Sequence, residues 1–251
     1  SVKTIYQHLC QGMIKRNQQL CQRFPKLADQ VRRAVELLQR QPYNLGDGGF
    51  LTASRLLDIG LMIGGQDGDY QLAMLFDDPF VDGSRKQLHW GFVKAVVDKL
   101  SYETNPLYAI LHESIYCHGF ASQWAADQVL QSEPDFTITV QQPYFYGETI
   151  RRAMFSEYGR LRPFASVADQ LAQKADWPVL YDLDQLSHNK VPVVALLYRD
   201  DYYVDYRLAQ ETTQAIASCQ VLTSRVWQHD ALRVHAKSVI NRLLKFGFSA
   251  K

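Results

Sequence analysis

Val191-Pro192-Val193-Val194-Ala195-Leu196-Leu197-Tyr198, closed by Arg199-Asp200-Asp201, is the stretch that decides the fold class. A continuous apolar run rich in β-branched residues, with no polar alternation, predicts a strand covered on both faces. Downstream, Tyr206 to Ala217 has helical character, Gln220 to Trp227 reads as a second short strand, and a final amphipathic helix runs from about Ala231 to Phe246. Strand, helix, strand, helix is the pattern of an α/β unit. Two strands do not sustain a doubly covered sheet, because each central strand needs a neighbour on both edges. The rest of the sheet is therefore expected to lie outside this sequence.

Upstream of Lys190 the chain has a different character. Apolar residues at Ile5, Leu9, Met13, Ile14 and Leu20, then Leu27, Val31, Ala34, Val35 and Leu38, recur near helical spacing, with Pro25 and Pro42 as punctuation. Gly46-Asp47-Gly48-Gly49 predicts a turn, and Thr52 an N-cap for a helix through Leu61 that Gly64-Gly65 stops. Leu88 to Leu100, Pro106 to Tyr116 and Gln123 to Gln131 keep the same period, and no stretch before Lys190 alternates convincingly as a strand. The expected division is a helical layer over residues 1–189 and an α/β part over 190–251.

Composition narrows the function classes. Hydrophobic residues make up 47% and charged residues 21% of the 251, enough for a sizeable core and unlike a disordered chain. Lys+Arg (27) nearly balances Asp+Glu (26), and no window interleaves basic and aromatic residues, so neither nucleic acid nor an anionic membrane is expected as a partner. The apolar runs are far shorter than the roughly 20 residues that span a bilayer. Ser1 to Leu20 lacks the continuous apolar centre of a signal peptide, and Cys10, Cys21, Cys117 and Cys219 show no CxxC spacing. Free thiols in a cytoplasmic setting are the expectation.

Functional groups in open α/β sheets gather at the carboxyl ends of the strands. Asp200-Asp201 closes the first strand and Trp227-Gln228-His229-Asp230 the second, acid before histidine, the order an α/β-hydrolase uses after its serine. In such a triad the carboxylate orients the imidazole, and the imidazole takes the serine proton. Plain turns use the same residue types, and the pattern alone does not decide between the two.

From Val2 to Leu244 the chain resembles the portion of the longer prolyl aminopeptidases (proline iminopeptidases) that follows the nucleophile. Its markers run in order: Asn105-Pro106-Leu107-Tyr108, Leu111-His112-Glu113-Ser114-Ile115-Tyr116, Trp124-Ala125-Ala126, Gly147-Glu148 with Met154-Phe155, Leu161-Arg162-Pro163, and Trp177-Pro178-Val179-Leu180-Tyr181-Asp182. Val191-Pro192-Val193, Asp200-Asp201-Tyr202-Tyr203-Val204-Asp205 and His229-Asp230-Ala231-Leu232-Arg233 complete the series. The resemblance implies a fold of the α/β class, with a helical cap over 1–189 followed by the last strand-helix-strand-helix of an α/β-hydrolase core over 190–251. It implies Asp201 as triad acid, His229 as triad base, and a peptide with a free N-terminal proline as substrate.

No Gly-x-Ser-x-Gly elbow occurs anywhere in the sequence, and no upstream oxyanion segment either. Asp82-Gly83-Ser84-Arg85 lacks the second glycine and reads as a loop. The expectation is a fragment, inactive by itself, whose partner is the missing N-terminal half of its own protein. An aminopeptidase must also hold a charged amino terminus, and cap carboxylates neutralise it. Glu113 resembles the family's cap glutamate and Glu148 is the second candidate. Both also fit solvated helix-face or helix-start charges. Tyr116, Phe145, Tyr146 and Phe155 suit either a wall for the proline ring or the core. His112-Glu113 fails the zinc motif because Tyr116 stands four residues on, and Glu113, Cys117 and His118 suit an ordinary helix better than a metal; no metal or cofactor is expected. The glycines and aspartates around 64–69 lack phosphate-loop and EF-hand spacing. Two rival readings remain: part of another α/β-hydrolase such as an esterase, and a helical interaction module.

Overall fold

The computed structural model describes residues 1–81, 86–138 and 141–248. The reading of Asp82-Gly83-Ser84-Arg85 lies outside the described residues. Two long helices, α1 (Val2–Arg23) and α2 (Pro25–Arg40), open the chain. Pro25 at the first helical position of α2 explains the break, since its missing N–H has no helical partner there anyway. Leu27, Val31, Ala34, Val35 and Leu38 form the buried stripe of α2, while Asp29, Arg32, Arg33 and Glu36 pair along its outer face.

A tight hairpin follows, with β1 (Tyr43–Asn44) antiparallel to β2 (Phe50–Leu51) around the predicted glycine turn. Thr52 caps α3 (Ala53–Leu57) through its hydroxyl, which accepts from Arg55 N–H at 3.0 Å. The expected single helix through Leu61 instead tightens into a 3-10 turn from Asp58 to Gly64. Then come α4 (Gly68–Leu75), α5 (Trp90–Lys99), α6 (Pro106–Leu111) with a 3-10 turn over Glu113–Tyr116, α7 (Ala125–Ser132), α8 (Met154–Glu157), α9 (Ala165–Gln173) and α10 (Leu183–Ser187). Among the described residues the core is built mainly from the helices, with loop residues such as Phe145, Tyr146, Ile150 and Tyr158 filling in, and α1 lies against α7 within it.

The last part is a β-α-β unit: β3 (Val193–Tyr198), α11 (Tyr206–Gln214) and β4 (Cys219–Ser224), followed by α12 (Ala231–Val234) and α13 (Ala236–Phe248). The two strands are parallel, Val193 opposite Cys219 through Tyr198 opposite Ser224. The sequence predicts a β3 covered on both faces; in fact only Leu197 of β3 is buried, because β4 is its only strand partner among the described residues. β4 also stops three residues earlier than predicted. The Ser224 hydroxyl accepts from the N–H groups of Val226 and Trp227, a side-chain turn that replaces the ladder. The final helix breaks at His235.

No helix among the described residues is long and apolar enough to cross a membrane.

Candidate active site at the strand ends

Both strands deliver their C-terminal loops to one place. His229 Nδ1 lies 3.0 Å from Asp201 Oδ2. The other oxygen, Oδ1, accepts from the N–H groups of Tyr203 (2.8 Å) and Val204 (3.1 Å), which fixes the carboxylate in a turn just beyond β3. Asp201 is nearly buried at 5% side-chain exposure while His229 keeps 42%, so the acid is held inside and the ring meets solvent. The Asp201 hydrogen bond raises the His229 pKa, against desolvation and with help from the charges of Asp201 and Glu148. Asp200 points elsewhere, pairing with Lys15 at 3.6 Å.

The helical layer grips this pair. Tyr203 sets its ring edge-on to His229, centroids 4.8 Å apart, and its hydroxyl donates to Leu61 O. A Cβ on Gly64 would stand 2.2 Å from the Tyr203 ring, so only glycine lets the 3-10 turn approach so closely. Asp230, next to the histidine, accepts from Gln66 N–H at 2.9 Å.

Glu148 stands in a loop rather than at a helix start. Its carboxylate accepts from Tyr108 OH, and its charge reaches His229, His112, Tyr203, Tyr116 and Tyr6. Burial lowers the His112 pKa despite Glu148, and pushes Tyr116 up to about 12. Tyr102, Tyr108, His112, Tyr116 and Tyr6 form a run of ring contacts between 5.1 and 6.4 Å around it. The hydroxyls of Tyr6 and Tyr102 are buried without a hydrogen-bond partner among the described residues. Tyr116 belongs to this cluster, whereas Phe145, Tyr146 and Phe155 are core residues, in contact with Phe76, Phe136 and Trp124 respectively.

The loop bearing Glu148 is pinned from three sides. Buried Asn17 in α1 accepts from Phe145 N–H (2.8 Å) and donates to Phe145 O (2.9 Å), acting as a one-residue strand partner. A Cβ on Gly147 would meet Met13 Sδ at 2.6 Å, so the loop lies directly on α1. Arg151 forms a two-pronged bond to Asp58 at 3.0 and 2.7 Å and a third to Glu157 at 3.0 Å, all buried. Desolvation lifts the Asp58 pKa to about 6 despite that partner.

Glu113 is engaged within the helical layer. Its carboxylate accepts from Ala126 N–H (2.8 Å) and Ala125 N–H (3.2 Å), and from the Ser122 hydroxyl, at the start of α7. Gln123 and Trp124, with φ of 55° and 58°, hold left-handed backbone there, and this is why α7 begins two residues later than its apolar period predicts. The acid completes a buried helix start, with its pKa raised by burial. Among the described residues no group of three or more His, Cys, Asp or Glu side chains could hold a metal ion.

Tyr203, Tyr108 and Tyr6 are the site residues that sequence reasoning missed. The first two stand inside the quoted markers Asp200-Asp201-Tyr202-Tyr203 and Asn105-Pro106-Leu107-Tyr108; Tyr6 carries no local signal.

No protein-family model matches the chain. The proline iminopeptidase of Aeromonas sobria is 33% identical over 246 residues, covering 98% of this chain and 57% of that protein. The proline iminopeptidase aneH of Aspergillus aculeatus is 28% identical over 244 residues, covering 91% of this chain and 51% of that protein. The chain thus spans about half the length of the curated relatives it matches.

Proposed function

The chain belongs to the prolyl aminopeptidase (proline iminopeptidase) family, and on that premise we propose that it carries the cap, acid and base of a serine peptidase that releases N-terminal proline from peptides. The observation that carries this reading is the 3.0 Å contact between His229 and Asp201 across two parallel strand ends, with Glu148 close enough to charge-couple to the same histidine. In this reading residues 1–189 are the cap and 190–251 the end of the α/β-hydrolase core.

Asp201 holds Nδ1, so the neutral ring keeps its lone pair on Nε2 and can take a hydroxyl proton. That hydroxyl belongs to a serine outside these 251 residues, since no nucleophile elbow occurs within them. The serine oxygen attacks the prolyl carbonyl, and His229 then gives its proton to the leaving amine. Water repeats the two steps to free the proline. Glu148 receives the prolyl ammonium, which is costly to bury unpaired, and the surrounding tyrosine rings supply the apolar wall and favourable faces for a cation. Glu113 serves from behind by fixing the start of α7. An ester substrate would need no acid for an amine.

The test compares hydrolysis of a proline arylamide by the full-length protein, its His229→Ala variant and the 251-residue chain. Turnover by the first alone is expected. Turnover by the 251-residue chain, abolished by His229→Ala, would mean that the nucleophile lies within it and would refute the division of labour.

A further inference from the structure

Resting on the peptidase reading above, we propose that the hollow beside His229 receives the residue that leaves after proline, and that Arg233 there selects a free carboxylate, making dipeptides the favoured substrates. When the scissile C–N bond breaks, its electron pair stays on the leaving nitrogen. That nitrogen takes the proton from His229 Nε2, while the prolyl carbon remains bonded to the serine oxygen. Proton transfer needs the nitrogen within about 2.6–3.2 Å of the ring. The body of the leaving residue must therefore lie next to His229.

A cavity of about 590 Å³ occupies that position, with His229 and Tyr203 in its wall. Met62 and Leu232 give it an apolar surface, Leu232 being 56% exposed. Arg233 is the cation of the lining, and its guanidinium makes no hydrogen bond or ion pair among the described residues. Asp230, also in the wall, already spends one oxygen on Gln66 N–H. The carboxylate of a leaving amino acid stands only two bonds from its nitrogen, about 2.5 Å away, so in a dipeptide the anion stays inside the hollow. A longer peptide puts a neutral amide there, and a guanidinium distinguishes the two because charge-assisted, forked hydrogen bonds are roughly twice as strong as neutral ones.

The experiment measures kcat/KM of the full-length protein on Pro-Leu and on Pro-Leu-amide, with a proline arylamide as reference. The free dipeptide is expected to exceed its amide about tenfold, a difference of about 1.4 kcal/mol. Arg233→Met should bring that ratio close to one, and Arg233→Lys should keep part of it. A ratio near one in the unaltered protein, a ratio that survives Arg233→Met, or equal losses on both peptides would overturn the proposal. Failure to cleave any proline-initiated substrate, arylamide included, would refute the peptidase reading itself and the subsite with it.

Discussion

Glu113→Gln separates two jobs that one glutamate can do. The carboxylate accepts from Ala126 N–H at 2.8 Å, Ala125 N–H at 3.2 Å and the Ser122 hydroxyl, and it is buried. Glutamine keeps the shape but turns one acceptor into a donor, which leaves one buried N–H facing another. Losing a hydrogen bond to a charged group costs about 1.5–3 kcal/mol, and a buried donor left unpaired about 1–3 kcal/mol. These overlap, because both describe the same contact, and burial has already raised the carboxyl pKa and narrowed the advantage of charge. A loss of about 2–3 kcal/mol remains. At about 2–4 °C per kcal/mol for a domain of this size, the unfolding midpoint should fall by about 4–12 °C. Thermal and urea unfolding measure this directly. Turnover of free and N-blocked proline substrates should drop together, in step with the folded fraction. An unchanged midpoint with a selective ten- to hundredfold loss on the free amine would refute the scaffold role and return the amine to Glu113.

Glu148→Gln should do the opposite: about ten- to a hundredfold lower kcat/KM on a free N-terminal proline, little change on the N-blocked analogue, and little change in stability. Equal losses on both substrates would sink it. Asp201→Asn should move the His229 titration, followed by ring NMR, downward from its present value above 6.5, because the largest cause of the rise is the Asp201 hydrogen bond. The sign for stability follows: a histidine pKa raised by folding means the pair contributes fully below about 6.5 and loses its contribution as pH climbs through the folded value. An unmoved titration would count against the assignment.

Sequence reading singled out Asp201 and His229, which the structure brings to 3.0 Å, because strand ends are marked locally, by an apolar run that stops and by an acid or histidine just beyond it. The same reading put Glu113 ahead of Glu148. What separates them is not local: the N–H groups that occupy Glu113 come from Ala125 and Ala126, and are free to meet it only because Gln123 and Trp124 adopt left-handed backbone. Helical spacing carries no trace of that conformation in residues other than glycine. The pinning of Glu148 was equally hidden, since it depends on Asn17 reaching a loop 128 positions away and on Arg151 meeting Asp58 across 93. The early end of β4 turns on one Ser224 hydroxyl, which β propensity does not register.

The two ties from the 61–66 segment to the strand-end loops, Tyr203 OH to Leu61 O in the acid loop and Gln66 N–H to Asp230 in the histidine loop, bear on traffic into the site. Under the peptidase reading, a cap that swung open as a rigid lid would have to break both bonds, which brace the loops that carry Asp201 and His229. On that reading, substrate would enter beneath a roof that stays in place. Such a burrow admits the end of a chain and turns away its middle, so a peptide folded on itself would have to unthread before it could be trimmed.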